Sequence, residues 1–311
     1  MERSQSDYLE IVVKLRRQHR ADLPAGSIIQ VEKDDAWVDL AEGGSLAASL
    51  DWLVASSPPA AEGPLLLPFA PRSFRDVLLY ERHWVQSSRG YVRHFMPQAF
   101  RLTQAYEKLT GSTFPAFRPP KLLAHQPLYY FGNHLTIVPS GTAIKPPSYT
   151  KALDYELELG WILSKPLFNA TPEQALDAVG GFVVINDFSA RDVQRAEMQS
   201  GFGPQKSKHF LTSMSATMIT ADEILPHVDA LKALVEINGK RIASLTSAGM
   251  RYSIAEVLAH LSRDEQLHPG ELIASGTFPG GSGIEAGRLL ESGDDLRLII
   301  EEVGEITHRI L

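Results

Sequence analysis

The chain has 311 residues and not one cysteine. That excludes a disulfide framework, a thiol nucleophile and any cysteine-ligated zinc site, and it fits a reducing compartment. Long apolar runs are also missing, so no membrane-spanning helix and no membrane partner is expected. Residues 1–20 lack the apolar stretch of a signal peptide. Their Glu2, Asp7 and Glu10 disfavour an organelle transit peptide, so a cytoplasmic location is expected. No basic block exists: 30 Lys and Arg stand against 37 Asp and Glu, a formal net charge of −7, which argues against nucleic acid or an anionic membrane surface as the main partner. The ten histidines form neither a His-Glu-x-x-His nor a His-x-His pattern. A two-His-one-carboxylate oxygenase site is not apparent either. No Gly-Lys-Ser/Thr follows the glycines of 275–283, so that loop is not a phosphate-binding P-loop.

What remains is an ordinary globular composition, 44% hydrophobic and 22% charged, enough for a sizeable core. Residues 1–70 read as a small N-terminal α/β domain and 71–311 as the main domain. Within the first, Tyr8, Ile11, Val12 and Leu15 at helical spacing predict a helix over 7–19. A hairpin is expected over 26–40 with its turn at Lys33-Asp34-Asp35, a short helix over 45–56, and a linker at Pro58-Pro59 and Gly63-Pro64. Beyond it strands dominate, at 135–138, 153–163, 181–186, 216–220, 231–237, 240–246, 271–275 and 296–302. Asn238-Gly239 is a hairpin turn signal. Helices are expected at 97–109, 172–178, 189–198 and 254–262. Residues 95–126, rich in proline and aromatics, read as an irregular excursion over a site. This pattern predicts a mainly β fold with some α: a large sheet closed on itself or folded into two layers.

The stretch Leu153-Asp154-Tyr155-Glu156-Leu157-Glu158-Leu159 alternates apolar and acidic residues. A strand has a side-chain period of two, so its acids share a face. Adjacent like charges on one face mean either a solvated surface or a hard divalent cation held by carboxylate oxygen. Asp187 ends an apolar strand just before a helix, where side chains line clefts. Ser189 is the expected N-cap of that helix, with Asp192 as capping partner. Arg191 and Gln194 share one of its faces. Lys206 and Lys208 follow, and the glycines of 275–283 permit close backbone approach to a ligand.

Together these residues resemble the fumarylacetoacetate hydrolase family. The matching stretches are Asp154-Tyr155-Glu156-Leu157-Glu158, Asn186-Asp187-Phe188-Ser189-Ala190-Arg191-Asp192-x-Gln194, Lys208-x-Phe210-x-Thr212 and Ser275-Gly276-Thr277. The resemblance runs from about residue 70 to the C-terminus. It implies a mixed β-sandwich roll behind a small N-terminal domain, and commonly a homodimer. It implies Glu156, Glu158 and Asp187 as ligands of a divalent cation, Mg²⁺ first, with Mn²⁺ or Ca²⁺ as alternatives. Asp76 matches a further carboxylate ligand of the fumarylacetoacetase branch, and His83, seven residues on, its catalytic histidine. Glu291, fourteen residues after Thr277, matches the glutamate that orients that histidine. Arg191, Gln194 and Lys208 match groups that hold substrate and stabilise developing negative charge; Lys206 is a rival to Lys208. Tyr130, Thr277 and Thr212 match substrate-contacting positions.

Leu78 and Met198 stand where fumarylacetoacetase carries substrate-touching tyrosines. The expected substrate is therefore a small molecule other than fumarylacetoacetate, a 1,3-diketo acid or acylpyruvate. The expected reaction is metal-dependent hydrolysis of its carbon–carbon bond, with His83 activating water. Alternatives on the same fold are 2-oxo acid decarboxylation, enol–keto isomerisation and hydration. A non-catalytic binding protein is a further alternative.

Overall fold

A computed structural model describes residues 14–20, 22, 27–33, 35–40 and 66–311. The chain begins with β1 (Lys14–His19), β2 (Ser27–Lys33) and β3 (Ala36–Asp39). Next come β4 (Ser73–Val77), α1 (Glu81–Phe95), α2 (Pro97–Thr110), β5 (Tyr129–Gly132) and β6 (Ile137–Pro139). The centre holds β7 (Leu153–Asp154), β8 (Leu157–Leu163), α3 (Pro172–Leu176), β9 (Val179–Asn186), β10 (Ser189–Ala190) and α4 (Arg191–Gln199). Then follow β11 (Thr212–Met214), β12 (Thr217–Thr220), α5 (Ala221–Ile224), β13 (Lys232–Ile237), β14 (Lys240–Thr246) and α6 (Ile254–Leu261). The last elements are β15 (Glu271–Ala274), α7 (Gly283–Ala286), β16 (Asp295–Ile300) and β17 (Gly304–Arg309).

A mixed sheet of eleven strands runs β3-β2-β1-β12-β9-β8-β15-β4-β5, with β11 branching from β9 to pair with β6. Every residue of β8 is buried, as expected of a central strand covered on both faces. One face packs on Tyr155, Leu157, Leu159, Trp161 and Phe182, the other on Phe69, Phe74, Ile162, Val183 and Ile185. A second sheet, β14-β13-β16-β17, turns Ala233, Val235, Ile237, Leu296, Leu298 and Ile300 into the first of these clusters. Its alternation of buried and exposed residues is that of a sheet with one wet face. Two layers over a shared core make the mixed β-sandwich roll.

Sheet register decides where the site forms. β8 is antiparallel to both β9 and β15, and β15 is parallel to β4. Consequently β8 begins where β9, β15 and β4 end. Asp76, Glu158, Asp187 and Thr277 are thereby gathered at one end of the sheet, though they are far apart in the chain.

The 26–40 hairpin forms as expected, with Asp35 in the left-handed region at φ 59° in its turn. The helix expected over 7–19 is corrected where it is described: 14–19 is strand β1, hydrogen-bonded to β2 and β12. There Leu15 and Arg17 are buried while Arg16 and Gln18 are less so, a period of two that outweighs the helical reading. Its remainder, the 45–56 helix and the 58–64 linker lie outside the described residues. Of the small N-terminal unit expected over 1–70, the described strands lengthen the large sheet through β1 and β12.

The 95–126 excursion is more regular than its composition suggests. Pro97–Thr110 forms α2, packed on α1 and closed by Gly111 in the left-handed conformation at φ 65°. The cap of α4 is Ala190. Ser189 instead donates to the Asp187 carbonyl, and Asp192 accepts from Thr150 and the Lys151 amide.

Helix α1 carries His83, and its buried residues are His83 and Gly90. A Cβ on Gly90 would lie 2.1 Å from the Ile284 carbonyl oxygen of α7. Gly90→Ala is expected to push the two helices apart and cost about 1–3 kcal/mol. Chemical denaturation checks the stability.

Candidate active site

Asp76, Glu158 and Asp187 each offer a carboxylate oxygen within 4.8 Å of the others, and all three residues are buried. A solvated face is excluded, since Asp154, Glu156 and Glu158 are 0%, 4% and 1% exposed. Burial, reinforced by Asp187, pushes the Asp76 carboxyl well above its usual range. Burial together with the charges of Asp76 and Asp187 does the same to Glu158. Two carboxylate oxygens of the group, Glu158 Oε2 and Asp187 Oδ1, are buried without a hydrogen-bond partner. Orphaned, acceptor-only oxygens that repel one another fit a hard divalent cation.

Glu156, expected as a fourth ligand, stands beside this group. Its Oε1 accepts from Arg191 Nη2 at 2.6 Å, and its Oε2 pairs with the Lys208 ammonium. Burial alone would raise this carboxyl, but Arg191 and Lys208 outweigh it and hold the group below the usual carboxylate range. Lys208 Nζ also reaches Asp187 Oδ2 at 2.5 Å, so one ammonium bridges two of the expected ligands. Burial opposes its charge, yet Asp187 and Glu156 prevail and raise its pKa. Lys206 is ruled out as its rival, because its ammonium lies 5.4 Å over the Tyr149 ring instead.

Arg191 is buried at the start of α4. It donates through Nε to Asp154 at 2.7 Å and through Nη1 to Gln194 at 2.9 Å, so Gln194 braces the guanidinium. Tyr130 donates to Asp187 Oδ2 at 2.6 Å, and Thr277 donates to Glu158 Oε1 at 3.1 Å. Both of these expected substrate contacts therefore hold candidate ligands in place. Gly276, at φ 76°, makes the Thr277 turn possible; a Cβ there would sit 2.3 Å from the Val77 carbonyl. Thr212 is buried at the start of β11, whose next residue pairs with Asn186.

His83 is brought to the acids. Its Nε2 lies 3.5 Å from Glu156 Oε1, and its Nδ1 lies 2.9 Å from Glu285 Oε2. The orienting glutamate is thus Glu285, and the expectation for Glu291 is corrected. The Glu291 side chain is 79% exposed and pairs with Arg288 at 3.7 Å. The distance from Thr277 holds for Glu291 only if the loop keeps a fixed length; here the glutamate beside His83 follows after eight residues, not fourteen. The legible signal was Ser282-x-x-Glu285, a helix-start pattern. Ser282 Oγ donates to Glu285 Oε2 at 2.7 Å, and the Gly280 amide donates to Oε1 at 3.0 Å. With its amide turned to satisfy both neighbours, Gln86 donates to Oε1 at 3.0 Å and accepts from Arg82 Nε at 3.1 Å.

Sequence reading also passed over Asp154. Its fully buried carboxylate accepts from the amides of Tyr155, Gly283 and Ile284 as well as from Arg191. One acid therefore fixes the start of α7, and with it Glu285, relative to the arginine.

Comparison with known proteins gives the family and the fold. The family described as "Fumarylacetoacetate (FAA) hydrolase C-terminal" matches residues 98–311. The chain belongs to that family. Oxaloacetate tautomerase YisK of Bacillus subtilis is 30% identical over 190 residues, 60% of this chain and 62% of that relative's length. The chain thus spans less than two thirds of that curated relative. Fumarylacetoacetate hydrolase from Exiguobacterium antarcticum shares the fold, with a TM-score of 0.68 at 22% identity over 96% of this chain and 99% of the other. So does fumarylpyruvate hydrolase from Pseudomonas aeruginosa, solved with Mn²⁺ and pyruvate, with a TM-score of 0.56 at 20% identity over 81% and 93%.

Proposed function

We propose that this chain hydrolyses a carbon–carbon bond in an acylpyruvate or 1,3-diketo acid. The observation that carries this reading is His83, oriented through Nδ1 by Glu285 and directed through Nε2 at Glu156, beside the acidic centre. With Nδ1–H donated to Glu285, Nε2 of the neutral ring is an acceptor able to take a proton from water. The water oxygen bonds to the acyl carbonyl carbon. The bond from that carbon to the methylene then breaks, and its electron pair forms the enolate of pyruvate. The proton held at Nε2 is available for that enolate carbon. Arg191 and Lys208 would oppose the negative charge that develops; a preorganised donor of this kind is worth about 3–4 kcal/mol in the transition state. A divalent cation, Mg²⁺ or Mn²⁺, held by Asp76, Glu158 and Asp187 would supply Lewis-acid polarisation of the substrate's oxygens.

A second reading, keto–enol tautomerisation of a 2-oxo acid, draws support from the activity named for the B. subtilis relative. The same base would move a proton between carbon and oxygen and break no carbon–carbon bond. A panel of acylpyruvates and oxaloacetate, followed by loss of enol absorbance and by mass spectrometry in H₂¹⁸O, separates the two. Hydrolysis predicts pyruvate plus a second acid carrying one ¹⁸O. Product of unchanged mass from every substrate would overturn it in favour of tautomerisation.

A further inference from the structure

We infer a second ligand site, for a short-chain dicarboxylate, in the cleft between α1 and β14 behind Glu285. This cleft of about 440 Å³ has a cationic wall and an apolar one. Arg82, Gln86, Arg89 and Arg93 of α1 supply the first; Ile242 and Leu245 of β14 contribute to the second. The three guanidiniums stand out in a chain of net charge −7.

They are not equally engaged. Arg89 is neutralised by Glu107, which takes both Nε and Nη2. Arg82 and Arg93 have no carboxylate partner among the described residues. Arg93 donates only to the main-chain carbonyls of Ile284 and Glu285, and Arg82 only to the Gln86 amide. The one acid in the lining, Glu285, has both oxygens occupied by His83, Ser282, Gly280 and Gln86. It cannot serve these arginines as well. Strand β14 is an edge of its sheet, pairing only with β13 among the described residues.

Geometry selects the ligand. Arg82 and Arg93 are eleven residues apart on one helix, about 16 Å between Cα atoms, and each side chain can reach inward. Two carboxylates separated by a carbon chain of about four to six atoms can take one guanidinium each, in the bidentate manner that planar carboxylates favour. The carbon chain then lies on Ile242 and Leu245. A compact anion meets only one end.

Isothermal titration of the full-length, Mn²⁺-loaded protein with adipate tests this. Wild type is expected to bind one adipate per chain, and the Arg82→Gln/Arg93→Gln double variant at least tenfold more weakly. Asp187→Asn, which injures the acidic centre, should leave adipate affinity unchanged, and inorganic phosphate should bind more weakly than adipate. Arg82→Lys/Arg93→Lys, which keeps both charges, should retain part of the affinity and so distinguish lost contacts from lost fold. The site is overturned if no adipate heat is seen, if phosphate binds as well as adipate, or if affinity falls with Asp187→Asn but not with the arginine changes. These outcomes stand apart from the proposed reaction, because none reads turnover.

Discussion

Replacing His83 by alanine is expected to lower kcat roughly 10²–10⁴-fold, the contribution of a positioned general base. Glu285→Ala should approach the same loss, because without a carboxylate on Nδ1 the ring is free to rotate and to place its proton on Nε2. Glu291→Ala should change kcat/KM by no more than about twofold, as for an exposed residue with a loose ion pair. The three variants must be read together. Loss in Glu285→Ala with retention in Glu291→Ala fixes which glutamate serves the histidine; the reverse would mean that α7 is placed wrongly against α1. Glu285→Gln sharpens the comparison. The amide keeps the side-chain volume but can offer its nitrogen to the ring, so kcat should fall, and stability should fall with it because one of two oxygens that accept from four groups becomes a donor.

The second large effect is on stability, and its sign depends on metal. Glu158→Gln removes one of three mutually repelling buried acids, keeps the Thr277 contact sterically possible, and should raise the melting temperature of the metal-free protein. Burial and like charge raise the Asp76 and Glu158 carboxyls in the folded state well above their ordinary range. A folded state that holds its protons longer than the unfolded chain loses stability as pH rises through the unfolded values toward the folded ones. Metal-free wild type should therefore lose this contribution on going from mildly acid to neutral pH, and Glu158→Gln should lose less of it. With cation the order reverses. A ligand at a hundredfold excess over its Kd stabilises by about 2.7 kcal/mol, on the order of 5 °C for a chain of this size. Wild type should gain that shift and Glu158→Gln should not. Differential scanning fluorimetry across pH, with and without Mn²⁺, reads both signs.

Much of this arrangement was legible in the chain because it is written in local periods. The alternation across Leu153–Glu158, the apolar run into Asp187 and the Asn238-Gly239 turn each specify a strand or its end. The acids on them fall at one end of the sheet once register is set. What could not be read was tertiary. Helix α1 was passed over because its buried face is His83 and Gly90, not an aliphatic stripe. Strand β1 alternates over only a few residues beside a stretch of helical spacing. Glu285 is hidden from a reading by spacing because loop length, unlike strand period, is not fixed by local chemistry. The division of labour among the acids was also hidden. Glu156 and Glu158 differ in surroundings because Arg191 and Lys208, distant in sequence, fold onto the first, while Asp76 and Thr277 meet the second.

The central claim is that Asp76, Glu158 and Asp187 hold one divalent cation. Titrating the protein with Mn²⁺ while recording the electron paramagnetic resonance signal of the free ion tests it most directly. In wild type the first equivalent per chain is expected to be taken up and its free-ion signal suppressed, and Glu158→Gln is expected to abolish this uptake. A free-ion signal that rises from the first addition as it does in buffer, or uptake that survives Glu158→Gln undiminished, would contradict it.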